Sequence, residues 1–284
     1  MKLPFIFAKR FVAGETFEQT IAKVKDLNYK KIKVSLDLLG ENVKDRKIAD
    51  ETVAAYIDLV KGIEENGLDA TISIKLTMLG LDIDRDYCRD NLFKLLSVAK
   101  ANKRFVRIDM EGSPYTQVSV VMYKEALAKF GSKVVGLVLQ AYLKRTEVDV
   151  NELAKLGGDI RICKGAYKEP AEIAIKEMPE IRKAYLRYAK HLIDNTAYPR
   201  IATHDDELID AVLAYTKEKN ISKDRFEFQM LYGLRQNTCE KLAAEGYNVR
   251  VYVPYGTMWL PYFTRRLAER KENIFFVLTA MFKG

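Results

Sequence analysis

The feature that most limits what this chain can fold into is a regular alternation of two hydrophobic periods. Short runs rich in aliphatic and β-branched residues occur at Ile32–Leu38, Ala70–Leu76, Phe105–Met110, Val134–Tyr142, Asp159–Lys164, Arg200–His204, Phe226–Leu231 and Val249–Val253. Each is followed by a stretch with helical spacing: Asp50–Asn66, Tyr87–Asn102, Thr116–Phe130, Val150–Leu156, Glu180–Asp194, Asp206–Lys219, Thr238–Glu245 and Leu260–Arg270. Neighbouring parallel strands need a long crossover, and a helix supplies it. Eight such units predict a (β/α)8 barrel. An open, doubly wound sheet is the alternative. A length of 284 residues suits one barrel, expected over residues 31–284 behind a helical segment at 1–30. In that segment Phe17–Leu27 reads as a helix, and Thr16 with Gln19 has the spacing of a capping box. Glu272–Phe282 is apolar and helical in pattern, so it offers a face to the barrel or to a partner.

Strands buried on both faces usually read as near-continuous apolar runs. These do not. Ile72 and Ile74 share one parity while Ser73 and Lys75 take the other. Val106 and Ile108 stand against Arg107 and Asp109, Ile160 and Ile162 against Arg161, and Val249, Val251 and Val253 against Arg250 and Tyr252. Leu137 and Leu139 are set against Gln140 in the same way. The simplest geometry puts the aliphatic set under the helices and the polar set in the lumen. Lys75, Asp109, Gln140, Arg161, His204 and Tyr252 then fall near the C-terminal ends of their strands, where barrel enzymes carry their chemistry.

Composition narrows the class further. With 48% hydrophobic and 30% charged residues, the chain is neither disordered nor a disulfide-stapled miniprotein. Its three cysteines, Cys88, Cys163 and Cys239, form no CxxC pair and suggest a reducing compartment. No apolar run has the length of a membrane span, and the N-terminus lacks the pattern of a secretory signal, so a cytoplasmic location is expected. The net charge of +8 favours anionic partners without choosing among them. The basic residues form no aromatic-interleaved stripe, so nucleic acid is not an expected partner.

Several residues could carry chemistry. In Tyr262-Phe263-Thr264-Arg265-Arg266-Leu267-Ala268-Glu269-Arg270, Arg265 and Glu269 are four apart, as are Arg266 and Arg270. That is the spacing of an ordinary surface ion pair, and also of an arginine clamp for a carboxylate or phosphate. Trp259, Tyr262 and Phe263 could wall the clamp. Lys164-Gly165-Ala166 follows the fifth strand and could admit a phosphate. Neither a GxGxxG nor a GxxxxGK[ST] stretch is present, so a nucleotide cofactor would have to sit in the barrel mouth. His204 has no second histidine at ligand spacing, and no metal is expected. Asp109 could pair with Arg107 or Lys75, and Glu111 could cap the turn that follows it. Lys75 or Lys164 could form a Schiff base, which leaves a barrel lyase or aldolase as the competing chemistry. Lys168–Ile181 is loosely patterned and reads as a mobile lid.

Taken in order, several segments resemble the motifs of the proline dehydrogenases: Phe11-Val12-Ala13-Gly14-Glu15-Thr16, Leu36-Asp37-Leu38-Leu39-Gly40-Glu41, Ile74-Lys75-Leu76-Thr77, Arg107-Ile108-Asp109-Met110-Glu111, Leu139-Gln140-Ala141-Tyr142-Leu143, Arg161-Ile162-Cys163-Lys164-Gly165-Ala166-Tyr167, Ala202-Thr203-His204, Phe228-Gln229-Met230-Leu231-Tyr232-Gly233, Val251-Tyr252-Val253-Pro254-Tyr255-Gly256 and Tyr262 to Glu269. The likeness covers nearly the whole chain and is to the stand-alone bacterial type. It implies a distorted (β/α)8 barrel that binds FAD without a covalent bond. The implied reaction oxidises L-proline to Δ1-pyrroline-5-carboxylate by hydride transfer from C5 to flavin N5, with a membrane quinone as electron acceptor. Pyrroline-5-carboxylate dehydrogenase would follow it. Position by position, the resemblance gives the proline carboxylate to Arg265, Arg266 and Lys75, and the proline ring to Tyr252 and Leu231. Arg161 would serve the flavin N5 region, and Asp109 would orient the basic groups and Tyr252. FAD would be held by Met110, Gln140, Arg161, Lys164, Gly165, Ala166, Thr203 and His204. Arg265 with Glu269 would be an ion pair that opens and closes the site. Transient contact with an anionic inner-membrane surface is compatible with the charge.

Overall fold

The computed structural model describes residues 8–269, and its eight strands close into a barrel in chain order. They are β1 (Lys33–Leu38), β2 (Ala70–Ile74), β3 (Val106–Ile108), β4 (Val135–Gln140), β5 (Asp159–Cys163), β6 (Arg200–Ala202), β7 (Glu227–Leu231) and β8 (Asn248–Tyr255). Every neighbouring pair is parallel, and β8 returns to β1 with Ser35 opposite Tyr252 and Asp37 opposite Pro254. The open-sheet alternative is therefore excluded. The crossovers are α2 (Arg46–Glu65), α3 (Arg85–Ala101), α4 (Ser113–Phe130), α5 (Thr146–Lys155), α6 (Met178–Asn195), α7 (Asp206–Glu218) and α8 (Gln236–Ala244).

The barrel is distorted at its seam. Helix α1 (Phe17–Tyr29) precedes β1, and it buries Val24 and Leu27 in the main core. It touches α2, where a side chain on Gly62 would collide with Phe17. Next to its C-terminal end Lys30 pairs with Glu240 of α8 at 3.1 Å. Thus α1 fills the slot between α8 and α2 that the helix after β8 would otherwise take. That helix, α9 (Trp259–Glu269), lies over the mouth instead. Phe11, Val12, Leu39, Trp259, Tyr262 and Phe263 form a separate buried cluster there, with the Trp259 and Phe263 ring centroids 6.0 Å apart. The expected capping box is not made. Thr16 does not cap the helix with its side chain, and Gln19 Oε1 accepts from Glu15 N at 2.8 Å rather than from Thr16 N.

The parity pattern sorts the faces as expected. The aliphatic set, Ile72, Ile74, Val106, Ile108, Leu137, Leu139, Ile160 and Ile162, joins the core under the helices. The polar set meets across the lumen. Ser35 and Ser73 hydroxyls are 3.0 Å apart, and Arg161 Nη2 donates to Ser73 Oγ at 3.2 Å. The N-terminal end of the lumen is floored by charge. Asp159 Oδ1 and Oδ2 accept from Arg200 at 2.8 and 2.7 Å, and Oδ1 also pairs with Arg107. Glu227 Oε1 accepts from Arg200 and Arg250, both at 2.7 Å, and Oε2 from the Tyr198 hydroxyl at 3.0 Å. Desolvating charges is costly, so such a layer persists only when nearly every partner is satisfied. Arg107 is thereby committed to the floor and does not meet Asp109, contrary to one expectation from sequence.

Candidate active site

Alternation along each strand delivers the polar side chains of the opposite end to a cavity of about 700 Å3 at the barrel mouth. The described residues that the resemblance gives to substrate, flavin or positioning all line it: Lys75, Asp109, Met110, Gln140, Arg161, Lys164, Gly165, Ala166, Thr203, His204, Leu231 and Tyr252. The side chains of Arg265, Arg266 and Glu269 lie outside the described residues, as does the segment Glu272–Phe282. A second groove, about 870 Å3, runs outside the barrel between α1 and α8 and shares only Leu231 with this set.

Five strands, β1, β2, β3, β5 and β8, build the charged wall of the cavity. Lys75 Nζ donates to Asp37 Oδ1 at 2.9 Å. Arg161 Nη1 donates to Asp109 Oδ1 at 2.9 Å, and the Tyr252 hydroxyl donates to Asp109 Oδ2 at 2.7 Å. Asp109 therefore orients both Arg161 and Tyr252. The Arg161 guanidinium carbon also stands 5.5 Å from the centre of the Tyr252 ring. Burial, and then the Asp109 charge, push the Tyr252 phenol well above its ordinary value, so it remains a donor. Burial alone would push the Lys75 ammonium down, but Asp37 and then Asp109 hold it above the ordinary lysine value. A lysine held as an ammonium is a poor Schiff-base nucleophile and a good anion partner.

The other wall is a set of donors along the loops after β4, β5 and β6. Gln140 Nε2 donates to Glu111 O at 3.0 Å, which fixes the amide beside Met110. Lys164 pairs with Asp205, whose Oδ2 also accepts from Arg182 Nε at 2.8 Å. His204 Nε2 accepts from Leu231 N at 2.9 Å, which assigns the ring proton to Nδ1 and locks the ends of β6 and β7 together. Gly165 has φ 118°, and a Cβ there would fall against the Tyr142 ring. Backbone at Gly165 can thus approach a ligand closely, as only glycine permits. Gly165→Ala is expected to cost about 2–4 kcal/mol from left-handed backbone and overpacking. Chemical denaturation checks this, and a loss below about 1 kcal/mol would show that the ring simply moves aside.

One reading from sequence needs correction, and two gain detail. Glu111 does not cap the turn that follows it: it accepts from Thr77 N at 3.2 Å and Thr77 Oγ1 at 2.6 Å, and so closes the single 3-10 turn after β2. Lys168–Ile181 is anchored to its surroundings at two points. Ile175 N donates to Tyr142 O at 2.7 Å, and Glu169 Oε1 accepts from Ser113 N at 2.7 Å at the start of α4. Of the three aromatic residues on α9, only Tyr262 lines the cavity, because Trp259 and Phe263 pack against the N-terminal residues. Sequence reasoning gave no role to Asp37, Arg182, Asp205 and Cys163, which also line the cavity. Asp37 had a signal: it is a lone carboxylate inside an apolar strand, on the parity of Ser35. Cys163 is free, and burial pushes its thiol up to about 12, so it is unreactive near neutral pH. Among the described residues no His, Cys, Asp and Glu cluster suits a metal ion.

The donor set fits an elongated, polyanionic cofactor with one flat apolar part. Lys164 and Arg182 both pair with Asp205, and Arg182 also meets the exposed Glu207 at 3.2 Å, so what the two cations offer phosphate oxygens is their remaining N–H donors. Arg161 Nε is buried without a partner and faces the same lumen. Met110, Val138 and Met230 supply apolar surface for a ring system.

Comparison with known proteins agrees with this geometry. Residues 19–278 match the model of the family described as proline dehydrogenase. The chain is 40% identical over 278 residues to proline dehydrogenase 2 of Bacillus subtilis strain 168, covering 98% of this chain and 91% of that protein. It is 39% identical over 280 residues to a proline dehydrogenase of Deinococcus radiodurans, covering 98% and 90%. Among solved structures, a proline utilization A protein from Bdellovibrio bacteriovorus, inactivated by N-propargylglycine, superposes with a TM-score of 0.86 at 25% identity. That match covers 93% of this chain, which spans only 32% of the longer protein.

Proposed function

The chain belongs to the proline dehydrogenase family, and from that premise we propose that it oxidises L-proline to Δ1-pyrroline-5-carboxylate with a non-covalently bound FAD. The observation that carries the reading is the shared cavity. A cationic wall for a carboxylate, an apolar wall at Leu231 and a donor-lined arm all open into one space. When bound there, FAD would supply the hydride acceptor, at N5, for proline C5. Gln140, Lys164, Arg161, Thr203 and His204 would hold it, with Met110, Gly165 and Ala166 against its surface.

The chain's own residues do the rest. Lys75 orients the proline carboxylate, together with Arg265 and Arg266 of α9. Tyr252 and Leu231 close on the ring atoms. Asp109 fixes Arg161 and Tyr252 through its two oxygens. Fixed charges around one anion align the reacting C–H bond and cost no reorganisation during the reaction. The Arg265–Glu269 pair is assigned to the opening of the site. Electrons would leave to a membrane quinone during brief contact of a cytoplasmic protein with an anionic inner-membrane surface. Among the described residues no helix is long and apolar enough to cross a membrane. The next enzyme would be a pyrroline-5-carboxylate dehydrogenase.

One experiment tests the core of this. The visible spectrum of the purified protein is expected to show flavin bands that bleach with L-proline under anaerobic conditions and return on addition of a soluble quinone. Co-sedimentation with anionic vesicles then reads the membrane contact. A yellow protein that proline does not bleach would overturn the substrate. A colourless protein that cannot be reconstituted with FAD would overturn the cofactor and favour the Schiff-base lyase, which borohydride trapping would reveal.

A further inference from the structure

Lys75 is almost buried, and the groups that face it are unequally committed. Its side chain is 10% exposed and that of Asp37, 2.9 Å away, is 0% exposed. Asp109 and Glu111 are the other carboxylates acting on it, and Tyr252 lies close to Asp37. Asp109 is engaged by Arg161 and Tyr252, and Glu111 by Thr77. Asp37 spends one oxygen on Lys75 alone, and its other oxygen, Oδ2, is buried with no hydrogen bond. An unpaired buried carboxylate oxygen is costly, so its retention calls for a reason beyond packing.

We propose that Asp37 is a positioning residue, which keeps Lys75 charged and aimed into the cavity as a partner for the substrate carboxylate. This rests on the assignment of Lys75 to that carboxylate. An ammonium has three N–H donors, and Asp37 takes one, which leaves two for an anion. Without the Asp37 charge, burial favours the neutral amine, which binds a carboxylate poorly. The sign of the effect separates this role from plain repulsion. If Lys75 stayed charged regardless, removing Asp37 would leave anion binding equal or tighter at every pH. If Asp37 maintains the charge, binding is retained at low pH and lost as pH rises. Arginines keep their protons throughout, so they do not contribute a competing ionisation.

The test uses the flavin-loaded, full-length protein and calorimetric binding of cyclopentanecarboxylate, with cyclopentanecarboxamide as the uncharged control. Wild type is expected to prefer the carboxylate and to bind it with constant affinity from about pH 6 to about pH 9. In Asp37→Asn the affinity should match or exceed wild type near pH 6 and fall at least about tenfold by pH 9, through one ionisation. Amide binding should stay flat in both proteins. Lys75→Met should bind the carboxylate weakly at all pH values and show no such ionisation. Should Asp37→Asn fail to fold, wild type still decides: an affinity loss centred below about pH 9 would overturn the role of Asp37. A flat profile in a folded Asp37→Asn protein would overturn it too. Wild type binding carboxylate and amide equally would instead sink the Lys75 assignment on which it stands.

Discussion

Glu227→Ala is expected to destabilise the protein by about 3–5 kcal/mol, the range for removing one partner of a buried ion pair. Glu227 is fully buried and accepts from Arg200, Arg250 and Tyr198. Its loss would leave Arg250 buried without a carboxylate and Arg200 sharing Asp159 with Arg107. The melting temperature should fall by roughly 10 °C for a chain of this size. Glu227→Gln keeps the volume and one acceptor, so it should cost less. Denaturant unfolding measures both, and a loss below about 1 kcal/mol for the alanine variant would mean that the floor adds nothing to stability.

The same floor sets the acid limit. Burial would raise the Glu227 carboxyl, but Arg200 and then Arg250 hold it well below the ordinary range. Asp159 is likewise lowered, with Arg107 and Arg200 overcoming burial. A depressed carboxylate contributes its full stability above its unfolded value, and that contribution is lost as pH falls through the folded value. Stability should therefore drop progressively below about pH 4.5. Glu111 works the other way, because burial raises it, and protonation on acidification relieves that cost. In Glu227→Gln the acid slope should be shallower by one proton, as of the two floor carboxylates only Asp159 remains to be titrated.

How much of this was legible in the sequence depended on which force fixed each feature. Backbone alternation is local, so the eight strands and the lumen-facing set Lys75, Asp109, Arg161 and Tyr252 could be read from parity alone. Pair choice is not local. Asp109 chose Arg161 over Arg107 because Arg107, two residues back and on the same parity, points to the opposite end of the lumen and meets Asp159. No spacing along the chain encodes that depth. The placement of α9 over the mouth was hidden for a similar reason. Its amphipathic pattern fits any apolar surface, and only the packing of α1 between α8 and α2 denies it the regular position. Asp37 was visible as a charged residue in an apolar strand, yet its role depends on Lys75, which arrives from the neighbouring strand.

Asp109→Ala is expected to reduce the rate of flavin reduction by proline by about 10²- to 10³-fold, comparable to removal of one preorganised donor from an active site. The size follows from its two bonds. Without Asp109, the Tyr252 hydroxyl loses its 2.7 Å acceptor and Arg161 loses its ion-pair partner. Arg161 then keeps only the Ser73 contact at 3.2 Å, which is long for a charged donor. Tyr252→Phe removes one of the two bonds and should cost about tenfold. If Asp109 acts by holding Tyr252 and Arg161, the effects must overlap. Asp109→Ala introduced into the Tyr252→Phe protein should cost less than in wild type, with a coupling of about 1 kcal/mol or more. Single-turnover reduction of the bound flavin measures this without interference from the electron acceptor. Strict additivity of the two substitutions would remove Asp109 from that positioning role, and would leave its charge, acting on Lys75 across the cavity, as its remaining contribution.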